Sequence, residues 1–111
     1  MISRHKQAAE KSARQYLEMR GFKLLESNFK RSKYEIDLIA LKNEAVYFMA
    51  IYLVGDEHSS IDMVAPSNLN KAMLAGASWI EENKWSGQIH HSAIELDQHT
   101  FAVLNLIEDI V

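Results

Sequence analysis

Two short runs rich in β-branched and aromatic residues, Tyr34 to Leu41 and Ala45 to Val54, stand on either side of the polar triplet Lys42-Asn43-Glu44. Both runs are of strand length, and the triplet is of turn length, so the stretch is expected to form a β-hairpin. Asp37 breaks the pattern. A carboxylate between Ile36 and Leu38 must reach the wet face, find hydrogen-bond donors or hold a cation, because burying it alone is costly. The hairpin is therefore the place to look for function.

Around it the chain reads in order as α, β, β, β, α, β, β. A helix is expected from about Ser3, a candidate N-cap, to Arg20. Ala8, Ala9, Ala13, Tyr16, Leu17 and Met19 supply its apolar side, and Gly21 is placed to end it in a left-handed conformation. Glu10 and Arg14, one turn apart, are expected to pair on its surface. Phe22 to Phe29 reads as a strand and Lys30-Arg31-Ser32-Lys33 as a cationic connection into the hairpin. Gly55 to Ser60 reads as an acidic loop. Pro66 and Ser67 then start a second helix, whose small residues Ala72, Ala75 and Gly76 let it lie close to a sheet, with Trp79 in the core. Ile89 to Leu96 and Thr100 to Ile107 read as two last strands joined at Asp97-Gln98-His99. His90 and His91 point to opposite faces of their strand and are expected as polar surface residues, not as joint ligands of one ion.

This order implies an α/β fold with an α+β flavour: a mixed sheet flanked by helices, with the second helix allowing at least one parallel pairing. At 111 residues and 48% hydrophobic content, residues 1–111 suit a single domain with one real core. The chain has no cysteine, which excludes disulfides, thiolate metal sites and a cysteine nucleophile and makes the cytoplasm the expected compartment. No apolar run approaches the roughly 20 residues that span a bilayer, and no signal-peptide pattern is seen at the N-terminus.

Charge is divided unevenly. Residues 1–33 carry nine Lys or Arg against three Glu, and residues 34–111 carry three Lys against twelve Asp or Glu. Arg14, Lys30, Arg31 and Lys33 are candidates for contacts with DNA or RNA phosphates. The sequence pI of about 5.9 lies well below that of a dedicated nucleic-acid binder.

With these residues in place the chain resembles the YraN-type proteins, small bacterial proteins with a restriction-endonuclease-like fold of the PD-(D/E)xK class. Tyr34 to Ala40 matches the motif Gly-Glu-Ile-Asp-Leu-Ile-Ala, with Tyr34 in place of the glycine. Gly21-Phe22 followed by Asn28, the Ala-rich helix ending Trp79-Ile80, and Ile107-Glu108-Asp109 add to the likeness. In that fold hard divalent cations generate hydroxide and neutralise the phosphate, and oxygen ligands suit them. The resemblance implies that Asp37 is the strand carboxylate of the site and Glu10 its helix carboxylate.

The next strand departs from the pattern. Phe-Val-Glu-Val-Lys in the family aligns with Phe48-Met49-Ala50-Ile51-Tyr52, so Ala50 stands for the metal-binding Glu and Tyr52 for the catalytic Lys. A family Lys falls near Asn68 and a family Asp at Ser92. Losing one electrostatic stabiliser costs about 10²–10³ in rate, so the resemblance implies a nuclease fold with a degenerate site. Such a chain would bind DNA or RNA without cleaving it and would hold no metal, or residual Mg²⁺ or Mn²⁺ at Asp37. Two alternatives stand beside it. One is an active nuclease with a rearranged site, in which Glu35, on the same strand face as Asp37, joins Glu10 and Asp37 as a metal ligand and Lys42 or Lys71 supplies the ammonium. The other is an interaction scaffold for a protein partner or a second copy of the chain.

Overall fold

The computed structural model describes residues 4–55 and 66–110. The order of its elements is α1 Arg4–Met19, β1 Lys23–Arg31, β2 Tyr34–Lys42, β3 Ala45–Val54, α2 Pro66–Asn83, β4 Gln88–Asp97 and β5 Val103–Ile107. The five strands form one sheet in sequence order. β1, β2 and β3 pair antiparallel, β3 and β4 pair parallel, and β5 returns antiparallel to β4. This is a mixed α/β fold in the expected order.

The turns follow from local chemistry. Gly21 takes φ +87°, and the Phe22 N–H donates to the Leu17 carbonyl at 3.0 Å, which closes the last turn of α1 around a residue with no Cβ to clash. Lys42 and Ala45 are paired across the hairpin, and Asn43 and Glu44 between them have φ of 51° and 63°. That is the two-residue turn whose twist matches the flanking strands.

Period-two alternation in the central strand divides the core in two. Ala45, Tyr47 and Met49 pack with Ala9, Ala13 and Leu17 of α1, while Val46 and Phe48 pack with Ala75 and Trp79 of α2. The sheet thus lies between the two helices. Gly76 explains how closely α2 approaches: a Cβ there would stand 3.1 Å from the Phe48 ring and 3.3 Å from His91 Cε1. Trp79 is buried, as its place on the helix predicts.

Two differences from the sequence-based expectation have physical causes. Lys30 and Arg31 continue β1, because they pair with Glu35 and Tyr34, and the connection shrinks to Ser32 and Lys33. His91 is buried at 8% exposure, because its strand is held between β3 and β5 and its ring faces α2 beside Phe48. After β5 the chain returns along β4: the Ile110 N–H donates to the His91 carbonyl at 2.9 Å, and Ser92 Oγ donates to the Glu108 carbonyl at 2.6 Å. The expected N-cap at Ser3 and the acidic segment from Asp56 lie outside the described residues. Among the described residues no helix is long and apolar enough to cross a membrane.

Candidate functional site

The site begins with a break in β-sheet alternation. Leu38 packs in the α1 cluster, whereas Ile36, two residues before it, packs with Phe29 and Trp79 in the α2 cluster. Regular pleating would keep both on one face. The cause lies on the neighbouring strand, where Asn28, opposite Asp37, takes φ 53°. A residue in that conformation bends its strand and turns the faces over.

The break coincides with the end of the hairpin ladder. Its pairs run from Lys42↔Ala45 to Leu38↔Met49 and stop, although β3 continues beside β4 as far as Val54. Where the next pair would fall, Asp37 Oδ2 accepts the Ile51 N–H at 2.8 Å. The carboxylate stands in for a missing strand and satisfies a backbone donor that the opening would leave unpaired.

A cleft of about 240 Å³ occupies the opening. Asp37, Ala50, Ile51 and Tyr52 line it from the hairpin, Lys71 and Ala72 from α2, and His91, Ser92 and Ile110 from β4 and the segment after β5. Lys33 and Glu35 line it from the start of β2. Asp37 is therefore brought together with Ala50 and Tyr52.

Electrostatics inside the cleft are set first by burial. Burial raises the Asp37 carboxyl above its ordinary range; the Ile51 N–H and Lys6 pull it back, and Glu35 and Glu10 add to the rise. Tyr52 is pushed up by burial and then by the Asp37 charge. Burial alone lowers the His91 imidazole, and its Nδ1 has no hydrogen-bond partner, so the neutral ring is favoured.

The two other carboxylates are committed elsewhere. Glu35 bonds Lys6 Nζ at 3.1 Å. Glu10 accepts from Asn28 Nδ2 at 2.9 Å and lies 3.8 Å from Arg14, the expected pair. Among the described residues no group of three or more His, Cys, Asp or Glu side chains is gathered to hold a metal ion.

The candidate cations separate. Arg31 makes a two-pronged contact with Glu82 of α2, at 2.7 and 2.6 Å, and lies over the Phe29 ring at 4.2 Å, so its charge is already answered. Lys33 and Lys71 line the cleft. Lys30 is exposed. Lys42 sits instead over Phe22, 4.9 Å from the ring centre, and does not line the cleft. Sequence reasoning missed Lys6 as the partner of Glu35, since 29 positions separate them and no local pattern links them. It also missed His91 and Ile110 as cleft residues.

A mixed sheet between two helices, opened at one hairpin end around an aspartate, defines a small α/β protein with a cleft between β2 and β3. The comparison with known proteins carries this to a family. The model of Uncharacterised protein family UPF0102 matches residues 9–104, and the chain belongs to that family, the one its YraN-type motifs resemble. It is 40% identical over 76 residues to a UPF0102 protein of Helicobacter hepaticus, covering 68% of each chain. It is 28% identical over 91 residues to one of Cytophaga hutchinsonii, covering 80% of each. With a relative from Rhodopseudomonas palustris the match is 30% over 76 residues, spanning 68% of this chain and 58% of that protein.

Proposed function

We propose that the protein is a nuclease-fold protein that has lost hydrolytic activity and binds nucleic acid through the phosphates in the Asp37 cleft. The observation that carries this is the company Asp37 keeps. On the strand beside it stand the methyl group of Ala50 and the phenol of Tyr52, and Lys33 and Lys71 line the same cleft. Hard divalent cations need several oxygen ligands with charge to match. Here Ala50 supplies no donor, Glu35 is tied to Lys6 and Glu10 to Asn28, so the donor set does not fit such an ion. With Glu35 tied to Lys6, the ammonium groups of Lys33 and Lys71 outnumber the one Asp37 carboxylate left in the cleft, which suits a phosphate better than a cation.

The order αβββαββ and the strand opening at the aspartate agree with a restriction-endonuclease-like fold. Bacterial relatives and a chain free of cysteine agree with a cytoplasmic setting. A mobility-shift assay with single- and double-stranded DNA and RNA at low and moderate salt tests the proposal. Binding that weakens with salt and drops about tenfold in the double variant Lys33→Glu, Lys71→Glu is expected. No retardation at either salt, or full retardation by the variant, would sink it.

Lys71 also supports a second reading, the rearranged nuclease, since it lines the cleft where an ammonium would be required. That reading requires cleavage in Mg²⁺ or Mn²⁺ that is lost in both Asp37→Ala and Lys71→Ala.

A further inference from the structure

A second concave surface lies at the opposite end of α1 from Lys6. Tyr16 and Arg20 of α1, with Phe22 and Lys42, form one side of a groove of about 380 Å³, and Leu104 to Leu106 of β5 form the other. We infer that this groove receives an extended, acidic peptide segment of a protein partner.

Three observations lead there. First, the groove holds two cations fixed in place: the Arg20 guanidinium lies 4.8 Å from the Tyr16 ring centre and the Lys42 ammonium 4.9 Å from that of Phe22. Lys6, Arg14 and Arg31 each face a carboxylate; among the described residues Arg20 and Lys42 form no such pair. Cations held over rings have already lost much of their rotamer freedom, so binding an anion costs them less. Second, β5 is an edge strand with β4 as its one neighbour among the described strands, and Leu104 on it is 56% exposed. An unpaired edge carrying apolar side chains is the surface on which an extended chain adds. Third, the aromatic rings are not free to stack on bases, because Phe22 is only 4% exposed and each ring carries a cation. Glu108 also lines the groove and repels any anion near it, so an acidic segment must place its carboxylates at Arg20 and Lys42, away from Glu108. Carboxylates spaced along a strand meet Arg20 and Lys42 one at a time, with apolar residues between them against Leu104.

The site is separate from the Asp37 cleft and does not depend on the function proposed for it. Fluorescence anisotropy of the full chain with a fluorescein-labelled octapeptide of alternating Glu and Val, in low salt, tests it. Binding is expected, weakened about tenfold by Arg20→Glu with Lys42→Glu and by Leu104→Asp, and unchanged by Lys33→Glu with Lys71→Glu. A Lys-Val octapeptide is expected not to bind. Circular dichroism melts confirm that the surface variants fold, and Leu104→Asn gives a milder test of the same contact. Absence of peptide binding, or binding indifferent to all these variants, overturns the inference. So does a labelled oligothymidine that binds at Arg20 and Lys42 while the peptide does not, or a dimer by light scattering that Leu104→Asp converts to monomer.

Discussion

At the turn end of the hairpin, Leu38 to Lys42 pair residue for residue with Ala45 to Met49, and Ile39, Ala40 and Val46 are wholly buried there. Three residues back along β2 from the middle of that ladder, the same two strands part, and Asp37 rather than β2 backbone satisfies Ile51. One end is held by apolar packing from both sides of the sheet. The other exchanges that packing for a cleft, and a single carboxylate repairs the backbone hydrogen bonding that the opening breaks. Tight packing and the open cleft thus lie at opposite ends of one hairpin.

The largest expected difference between the two ends is in stability. Ile39→Ala, at the closed end, removes a fully buried side chain and is expected to cost about 3 kcal/mol in urea denaturation, against about 1 kcal/mol for Ile51→Ala beside the cleft. Equal losses would mean that the open end is packed as tightly as the closed one.

Next comes the carboxylate. Asp37→Asn keeps an oxygen to accept the Ile51 N–H, and Asp37→Ala does not, so the alanine variant is expected to be less stable than the asparagine variant by about 1–2 kcal/mol. Their pH dependence sharpens the point. Because the native carboxyl titrates above its ordinary value of 3.8, its charged form is the costly one. Asp37→Asn is therefore expected to gain stability over wild type at neutral pH, and the gain should fade as pH drops through the raised native value toward 3.8. A gain that grows on acidification would contradict the burial argument.

His91 gives the opposite sign. Its native value lies below 6.5, so the unfolded chain takes up the proton first, and the stability held by the neutral ring is full above 6.5 and lost as pH falls below it. Thermal melts across this range should show that slope in wild type and a flatter one in His91→Gln. The smallest effect belongs to the turn: Glu44→Gly relieves a left-handed conformation, φ 63°, and is expected to add about 0.5–1 kcal/mol.

Much of this was legible in the sequence. β-branched and aromatic runs around Asn43 located the hairpin to within a residue, because pattern and turn chemistry agree there. Gly21 and the small residues of α2 foretold a helix end and a close approach, and the structure bears out both. Alternation failed where a tertiary feature governs it: nothing local in Ser27-Asn28-Phe29 announces that Asn28 turns left-handed and moves Ile36 to the face away from Leu38. The burial of His91 was hidden for a similar reason, since a His in a strand looks like a surface residue until the parallel pairing with β3 encloses it. The motif around Asp37 coincides with the opening between β2 and β3, but the ties of Glu35 to Lys6 and Arg31 to Glu82 span 29 and 51 positions and leave no trace in spacing.

The most direct test asks the cleft to bind and to cut in one experiment. Labelled single- and double-stranded DNA and RNA are incubated at length with the wild-type protein in Mg²⁺ and in Mn²⁺, then divided between a native and a denaturing gel. Retarded nucleic acid is expected on the first and full-length strands on the second. Shortened strands made by the wild type and not by Asp37→Ala would contradict this.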